Sequence, residues 1–135
     1  MSMTYYSEDY RTARTRLLSA AQASGDWTHE AIAHPLAGAD GAALFIDVLW
    51  RGPQDAPRVL TISSGTHGVE GFCGSTLQLQ LIHDAPALPP GTALMLVHAV
   101  NPYGFSHLRR VNEDNVDLNR NFIDFAADVP ENDAY

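Results

Sequence analysis

His67 and Glu70, in the stretch Ser63-Ser64-Gly65-Thr66-His67-Gly68-Val69-Glu70-Gly71, are the residues of this sequence best suited to metal chemistry. A neutral imidazole and a carboxylate three residues apart in a turn can converge on one point, and that donor pair suits zinc. By itself a His-x-x-Glu is a weak pattern, more often a surface histidine beside a solvated acid. Glycines at 65, 68, 71 and 74 set this one apart, because they let the backbone turn tightly and approach a ligand. A second polar stretch, from Leu108 to Phe122, holds three arginines, four asparagines and three acids. Its composition is that of a solvated loop. Its chemistry is that of an anion site, since a guanidinium grips a carboxylate in a planar, bidentate way that lysine cannot match.

Both stretches follow apolar runs that read as strands. Val59-Leu60-Thr61-Ile62 is short and partly β-branched, as suits a strand buried on both faces, and Ala93 to Val100 is a second such run. Between them Gly71 to His83 is expected to form a buried helix, so residues 59–100 make a strand, helix, strand unit with parallel strands. The His-x-x-Glu pair and the polar stretch then sit beyond the carboxyl ends of neighbouring strands, where open α/β sheets place their ligands. One cleft shared by His67, Glu70, Arg110, Asn119 and Arg120 is the expected arrangement. Upstream, apolar spacing predicts a helix over 7–24 with Ser7 as a possible N-cap and Gly25 as its stop. Trp27 to Ala33 reads as a strand broken by His34-Pro35-Leu36, and Ala43 to Trp50 as a strand with one partly polar face. The fold class is α/β, and the whole chain, 1–135, is expected to form a single domain.

Sixteen acidic against eight basic residues give a net charge of -8, and the arginines form no basic face, which excludes nucleic acid as an expected partner. No apolar run approaches the length of a membrane span, and the amino terminus lacks a basic start followed by an apolar core. A soluble, cytoplasmic protein without membrane association is expected. The single cysteine, Cys73, rules out an intramolecular disulfide and a cysteine-based structural zinc site. Its expected role is packing at the start of a buried helix. His98, closing a strand near the presumed site, reads as a hydrogen-bonded core or supporting group and not as a metal ligand.

Taken together, Gly65-Thr66-His67-Gly68-Val69-Glu70-Gly71, Asn101-Pro102-Tyr103-Gly104-Phe105, and Arg110-Val111-Asn112 followed by Val116-Asp117-Leu118-Asn119-Arg120-Asn121-Phe122 resemble the zinc carboxypeptidase superfamily. The resemblance is closer to a little-characterised bacterial branch of carboxypeptidase-like metallopeptidases. It implies a partial carboxypeptidase-like fold, a mostly parallel or mixed sheet with helices on its faces. It also implies His67 and Glu70 as two of three zinc ligands, Arg110 as the group that polarises the scissile carbonyl, and Asn119 and Arg120 as the grip on a substrate carboxylate. Arg109 is adjacent and could exchange roles with Arg110.

The family's third ligand, a histidine, and its general-base glutamate lie further downstream than Tyr135, so the resemblance covers the amino-terminal portion only. Three functions follow as expectations. One is a zinc metallopeptidase that hydrolyses an amide next to a free carboxylate in a small peptide. The second is a zinc-dependent deacylase of N-acyl amino acids. The third is a non-catalytic fragment serving as a scaffold, its exposed sheet covered by a homo-oligomer or by a missing carboxyl-terminal portion. In this chain alone zinc is expected to bind weakly or not at all.

Overall fold

The computed structural model describes residues 3–120 together with Asp124 and Ala126. A short 3-10 turn, Met3–Tyr5, precedes helix α1, Tyr10–Ser24. The cap of α1 is Asp9, two residues beyond the Ser7 suggested by the sequence. Asp9 is extended, and its carboxylate accepts from the Thr12 amide at 2.7 Å and from the Thr12 hydroxyl at 2.8 Å. A carboxylate also suits the positive end of the helix better than a hydroxyl. Ser7 is instead buried, within 3.3 Å of an Arg16 guanidinium nitrogen. Gly25 ends the helix in the left-handed region, φ 74°.

The sheet contains β1 (Thr28–Ala37), β2 (Ala43–Arg51), β3 (Arg58–Ser63) and β4 (Thr92–His98) in the order β1-β2-β4-β3. β3 and β4 are parallel, joined through helix α2 (Gly71–Asp84), while β1 and β2 run antiparallel to their neighbours. The fold class is therefore α/β with a four-stranded mixed sheet. His34-Pro35-Leu36 does not end β1: the ladder with β2 loses register after Ala33 and resumes at Ala37, and Pro35 falls in that irregularity. An edge strand tolerates the missing amide donor.

Two burial expectations fail, one because of the strand order and one because α2 packs on the sheet through a single stripe. β4 is flanked by β2, which leaves β3 at the sheet edge, with Val59 45% and Leu60 54% exposed where burial on both faces was expected. Helix α2 is likewise buried along one stripe only. Gly71, Ser75, Gln78, Leu79 and Ile82 face inward at helical spacing, whereas Cys73 and Leu77 are exposed. Cys73 thus has no packing role.

Both long helices lie on the same face of the sheet. Leu17 and Ala21 of α1 and Leu79 and Ile82 of α2 pack on Leu49, Leu94 and Leu96. Leu49 stands opposite Leu96, and Leu94 is two residues from Leu96, so these three share a face. Fully burying each such leucine contributes about 1.5–3 kcal/mol, which makes this layer the main stabiliser. The alternate residues point the other way: Val48 opposite Val97, Trp50 opposite Met95, Ile32 opposite Ile46. Neither α1 nor α2 covers them, and none of the six is buried. No described helix is long and apolar enough to cross a membrane.

Candidate metal and anion site

The parallel pairing of β3 and β4 continues past their ends and holds the two motif loops side by side. Ser64 donates its amide to the Val97 carbonyl, Val100 to Ser64, and Asn101 to Gly65, all at 2.8–2.9 Å. Polar side chains on the buried stripe of α2 fix the same region. The Gln78 amide nitrogen donates to the carbonyls of Ile62 and Val97 at 2.9 and 3.1 Å, while its oxygen accepts from the Ser64 hydroxyl at 2.9 Å. Ser75 lies 2.9 Å from Nε2 of His98, whose ring is fully buried. A buried amide bonded at three points cannot be shifted without leaving polar groups unpaired, so the site rests on a rigid base.

The loops themselves interlock. After α2's cap at Glu70, the chain returns through β4 to α3 (Pro102–Ser106), where Asn101 caps the helix by accepting from the Gly104 amide at 2.7 Å. Gly65 turns with φ 67°. Gly68 lies so close to α3 that a Cβ there would stand 1.9 Å from the carbonyl carbon of Gly104. The histidine turn and the Asn-Pro-Tyr-Gly-Phe turn are therefore in backbone contact.

His67, nearly buried in this interlock, is held at both ring nitrogens. Nε2 lies 2.9 Å from Oδ1 of Asp117, and Nδ1 lies 3.0 Å from Oε2 of Glu70, which is otherwise exposed. Asp117 also accepts from Nε of Arg110 at 2.8 Å and from the Asn119 amide at 2.9 Å. The Arg110 hydrogen bond, reinforced by those from His67 and Asn119, holds the Asp117 carboxyl down at about 2. It is thus an acceptor at any ordinary pH.

With Nε2–H donated to Asp117 and the ring neutral, Nδ1 and Glu70 Oε2 become two lone pairs facing each other across 3.0 Å. A positive species between them removes that repulsion: the second proton of an imidazolium, or a metal ion. The pair therefore fits two positions of a zinc centre, and Asp117 fits the carboxylate that orients a ligating histidine. Asp117 cannot itself join the same ion, because it occupies the opposite ring nitrogen. Among the described residues no group of three or more His, Cys, Asp or Glu is arranged to hold a metal.

Of the other residues singled out from the sequence, Arg110 reaches the cluster with a side chain 53% exposed. Arg109 does not. It turns to Oδ1 of Asn115 at 3.1 Å and lies over the Tyr103 ring. Asn119 joins through its backbone only, and Arg120 donates to the Asn119 carbonyl, leaving both side chains at the surface beside Asp117. Asn121 and Phe122 lie outside the described residues.

Sequence reasoning missed Asp117 as the hub, and also Ser75 and Gln78. The signal for the latter two was present, since polar residues at i and i+3 interrupt the apolar stripe of α2 where the helix meets the sheet. A second missed cluster centres on Asp47. Its fully buried carboxylate accepts from Arg14 Nε at 2.7 Å and Nη2 at 2.9 Å and lies 2.8 Å from His29 Nε2. An aspartate between Phe45 and Leu49 in a strand was its signal.

No curated protein matches the chain. Among solved structures, a glutaminyl cyclase of Porphyromonas gingivalis is similar with a TM-score of 0.47 and 16% identity, over 70% of this chain. The chain spans 38% of the length of that structure. Residues 6–135 match the family model described as a protein of unknown function, DUF2817, and the chain belongs to that family.

Proposed function

We propose that this chain is the amino-terminal part of a zinc-dependent hydrolase of carboxypeptidase type, which cleaves an amide next to a free carboxylate. The observation that carries this reading is the geometry around His67, with Nδ1 3.0 Å from Oε2 of Glu70 and the far ring nitrogen 2.9 Å from Asp117. His67 and Glu70 would hold the metal. When bound, zinc lowers the pKa of a coordinated water so that hydroxide is available near neutrality. Asp117 keeps the His67 ring in the tautomer that leaves Nδ1 free to ligate, and it steers Arg110 to the same locus. Arg110, charged and half-exposed, is placed to take the negative charge that grows on a carbonyl oxygen during attack. Asn119 and Arg120, exposed beside it, are the proposed grip on the terminal carboxylate.

The chain alone is proposed to be inactive, so turnover is read on the complete polypeptide that carries it. With added zinc, that polypeptide is expected to release the carboxyl-terminal amino acid from short peptides, an activity lost in His67→Ala and reduced at least about 100-fold in Arg110→Ala. Hydrolysis of N-acyl amino acids in place of peptides would assign the deacylase reaction. Turnover that survives His67→Ala would end the proposal.

A second reading, a partner-binding module, is favoured by the exposed apolar sheet. β3 presents Val59 and Leu60 at an open edge, and the face opposite the helices carries Ile32, Ile46, Val48, Trp50, Met95 and Val97. Packing of another polypeptide against that face is measured by sedimentation, and the complete polypeptide should show no excess dye binding there.

A further inference from the structure

On the β1 side of the sheet, sharing no residue with the His67 cluster, α1 and the strands enclose a cleft of about 360 Å³ lined by Leu18, Ala21, Gln22, Trp27, His29 and Leu49. Four of these walls are apolar. Trp27 forms the flat one, braced by the Arg51 guanidinium 5.5 Å from its ring centroid, and Arg51 is itself tied to the Pro86 carbonyl. The polar groups are the exposed Gln22 amide and the imidazole of His29, 36% exposed.

His29 is not a free surface ring. Its Nε2 lies 2.8 Å from Oδ1 of the fully buried Asp47, whose charge Arg14 already balances with two hydrogen bonds. Because the carboxylate has its cation, the imidazole need not be charged to sit beside it. With the Asp47 carboxylate accepting, a neutral His29 ring carries its proton on Nε2 and its lone pair on Nδ1. The ring's one hydrogen bond among the described residues is made by Nε2, which leaves Nδ1 without a protein partner there. A few polar groups among apolar walls are the usual makeup of a small-molecule pocket, and of the His29 ring nitrogens only Nδ1 is uncommitted.

We propose that this cleft binds a small neutral molecule with an aromatic body and one hydroxyl or N–H group, which it donates to Nδ1 of His29. A carboxylate ligand is disfavoured twice, by the lone pair it would face and by the chain's net charge of -8. A purely apolar ligand would leave Nδ1 desolvated and unpaired.

Phenol and toluene are suitable probes, since they share a ring and differ in the donor. Nitrogen-detected spectra of the imidazoles recorded at pH 8 should show His29 protonated at Nε2 alone. Phenol should shift the Trp27 indole resonance and the His29 Nδ1 resonance with saturation, binding about fivefold tighter than toluene, the effect of one hydrogen bond. Leu18→Trp, which fills the cleft from the α1 side and leaves His29, Asp47 and Arg14 in place, should abolish both shifts. A proton on Nδ1 in the wild-type protein, equal affinity for the two probes, or phenol shifts that persist in Leu18→Trp would each overturn the proposal.

Discussion

Gly68 and Gly104 meet backbone to backbone, 36 residues apart in sequence, and a Cβ on Gly68 would lie 1.9 Å from Gly104's carbonyl carbon and 2.1 Å from its oxygen. The two loop motifs are therefore parts of one object: the histidine turn can take its shape only against the Asn101 to Phe105 turn. Phe105, fully buried, extends the contact by packing under Gly71 and against Phe72. Gly68→Ala must push backbone against backbone, which no rotamer change relieves. It is expected to destabilise the protein by about 2–3 kcal/mol, at the upper end of overpacking changes. Urea unfolding measures this, and a loss below about 0.5 kcal/mol would show that the loops separate freely.

Asp117 ties three functions to one carboxylate: the His67 tautomer, the Arg110 position and the turn at Asn119. Asp117→Asn retains the size but can present an N–H to Nε2, which favours the opposite tautomer. The expected outcome is a fold unchanged by circular dichroism and a zinc affinity of the complete polypeptide lowered roughly 10- to 100-fold, the usual effect of removing a carboxylate behind a ligating histidine. Competition with a chelator of known affinity gives the ratio.

His98 makes acid stability a test of the core. Burial is the dominant cause that lowers its pKa from 6.5 to about 4, with the nearby Asp47 charge opposing it. The ring is thus neutral when folded and protonated first when unfolded. Between about pH 6.5 and pH 4 the unfolded chain binds the extra proton, so stability is fully present above pH 6.5 and falls as pH drops toward 4. The contribution lost approaches about 3 kcal/mol. In His98→Gln this slope should disappear, while the stability at pH 8 falls because Ser75 and its surroundings are repacked. Urea midpoints at pH 8, 6 and 4.5 for both proteins decide it.

How much of this was legible depended on whether local pattern or strand order governed the feature. The β3, α2, β4 unit and the placing of both loops at the ends of those strands followed from apolar runs and glycines alone. Whether Val59 and Leu60 are buried does not follow from their own residue types. It depends on β2 entering between β1 and β4, a choice made by pairing far along the chain. Asp9 superseded Ser7 because a cap is set by which side chain reaches the third helical amide, a matter of one or two residues that composition does not resolve. Asp117 was hidden inside a polar loop, since its role depends on meeting His67 fifty residues away.

The buried Asp47 cluster predicts an asymmetric response to mutation. Asp47→Ala leaves the Arg14 guanidinium, a quarter exposed, without its carboxylate and strips His29 of its partner. A loss of about 3–5 kcal/mol is expected, as for other broken buried ion pairs. The double replacement Arg14→Met with Asp47→Leu should recover most of it, because both charges then leave the core together. Thermal unfolding of the three proteins reads the difference, and a single variant no worse than the double would show that the pair is not coupled.

The zinc affinity of this chain by itself follows from the number of donors that can reach one ion. Nδ1 of His67 and Oε2 of Glu70 converge, but Asp117 is spent on the opposite ring nitrogen, and the described residues supply no third donor. Zinc sites in proteins use at least three protein ligands, and their tightness comes from donors fixed in place before the metal arrives. Two water molecules can complete the coordination sphere without contributing that preorganisation. The 135-residue chain is therefore expected to bind zinc weakly, retaining well under about 0.1 equivalent after desalting at neutral pH, whereas a longer polypeptide of the proposed kind would be expected to retain close to one. Titration of zinc at near-neutral pH followed by metal analysis gives both values. Stoichiometric retention by the short chain, abolished in His67→Ala, would mean that a third ligand comes from this chain or from a second copy of it.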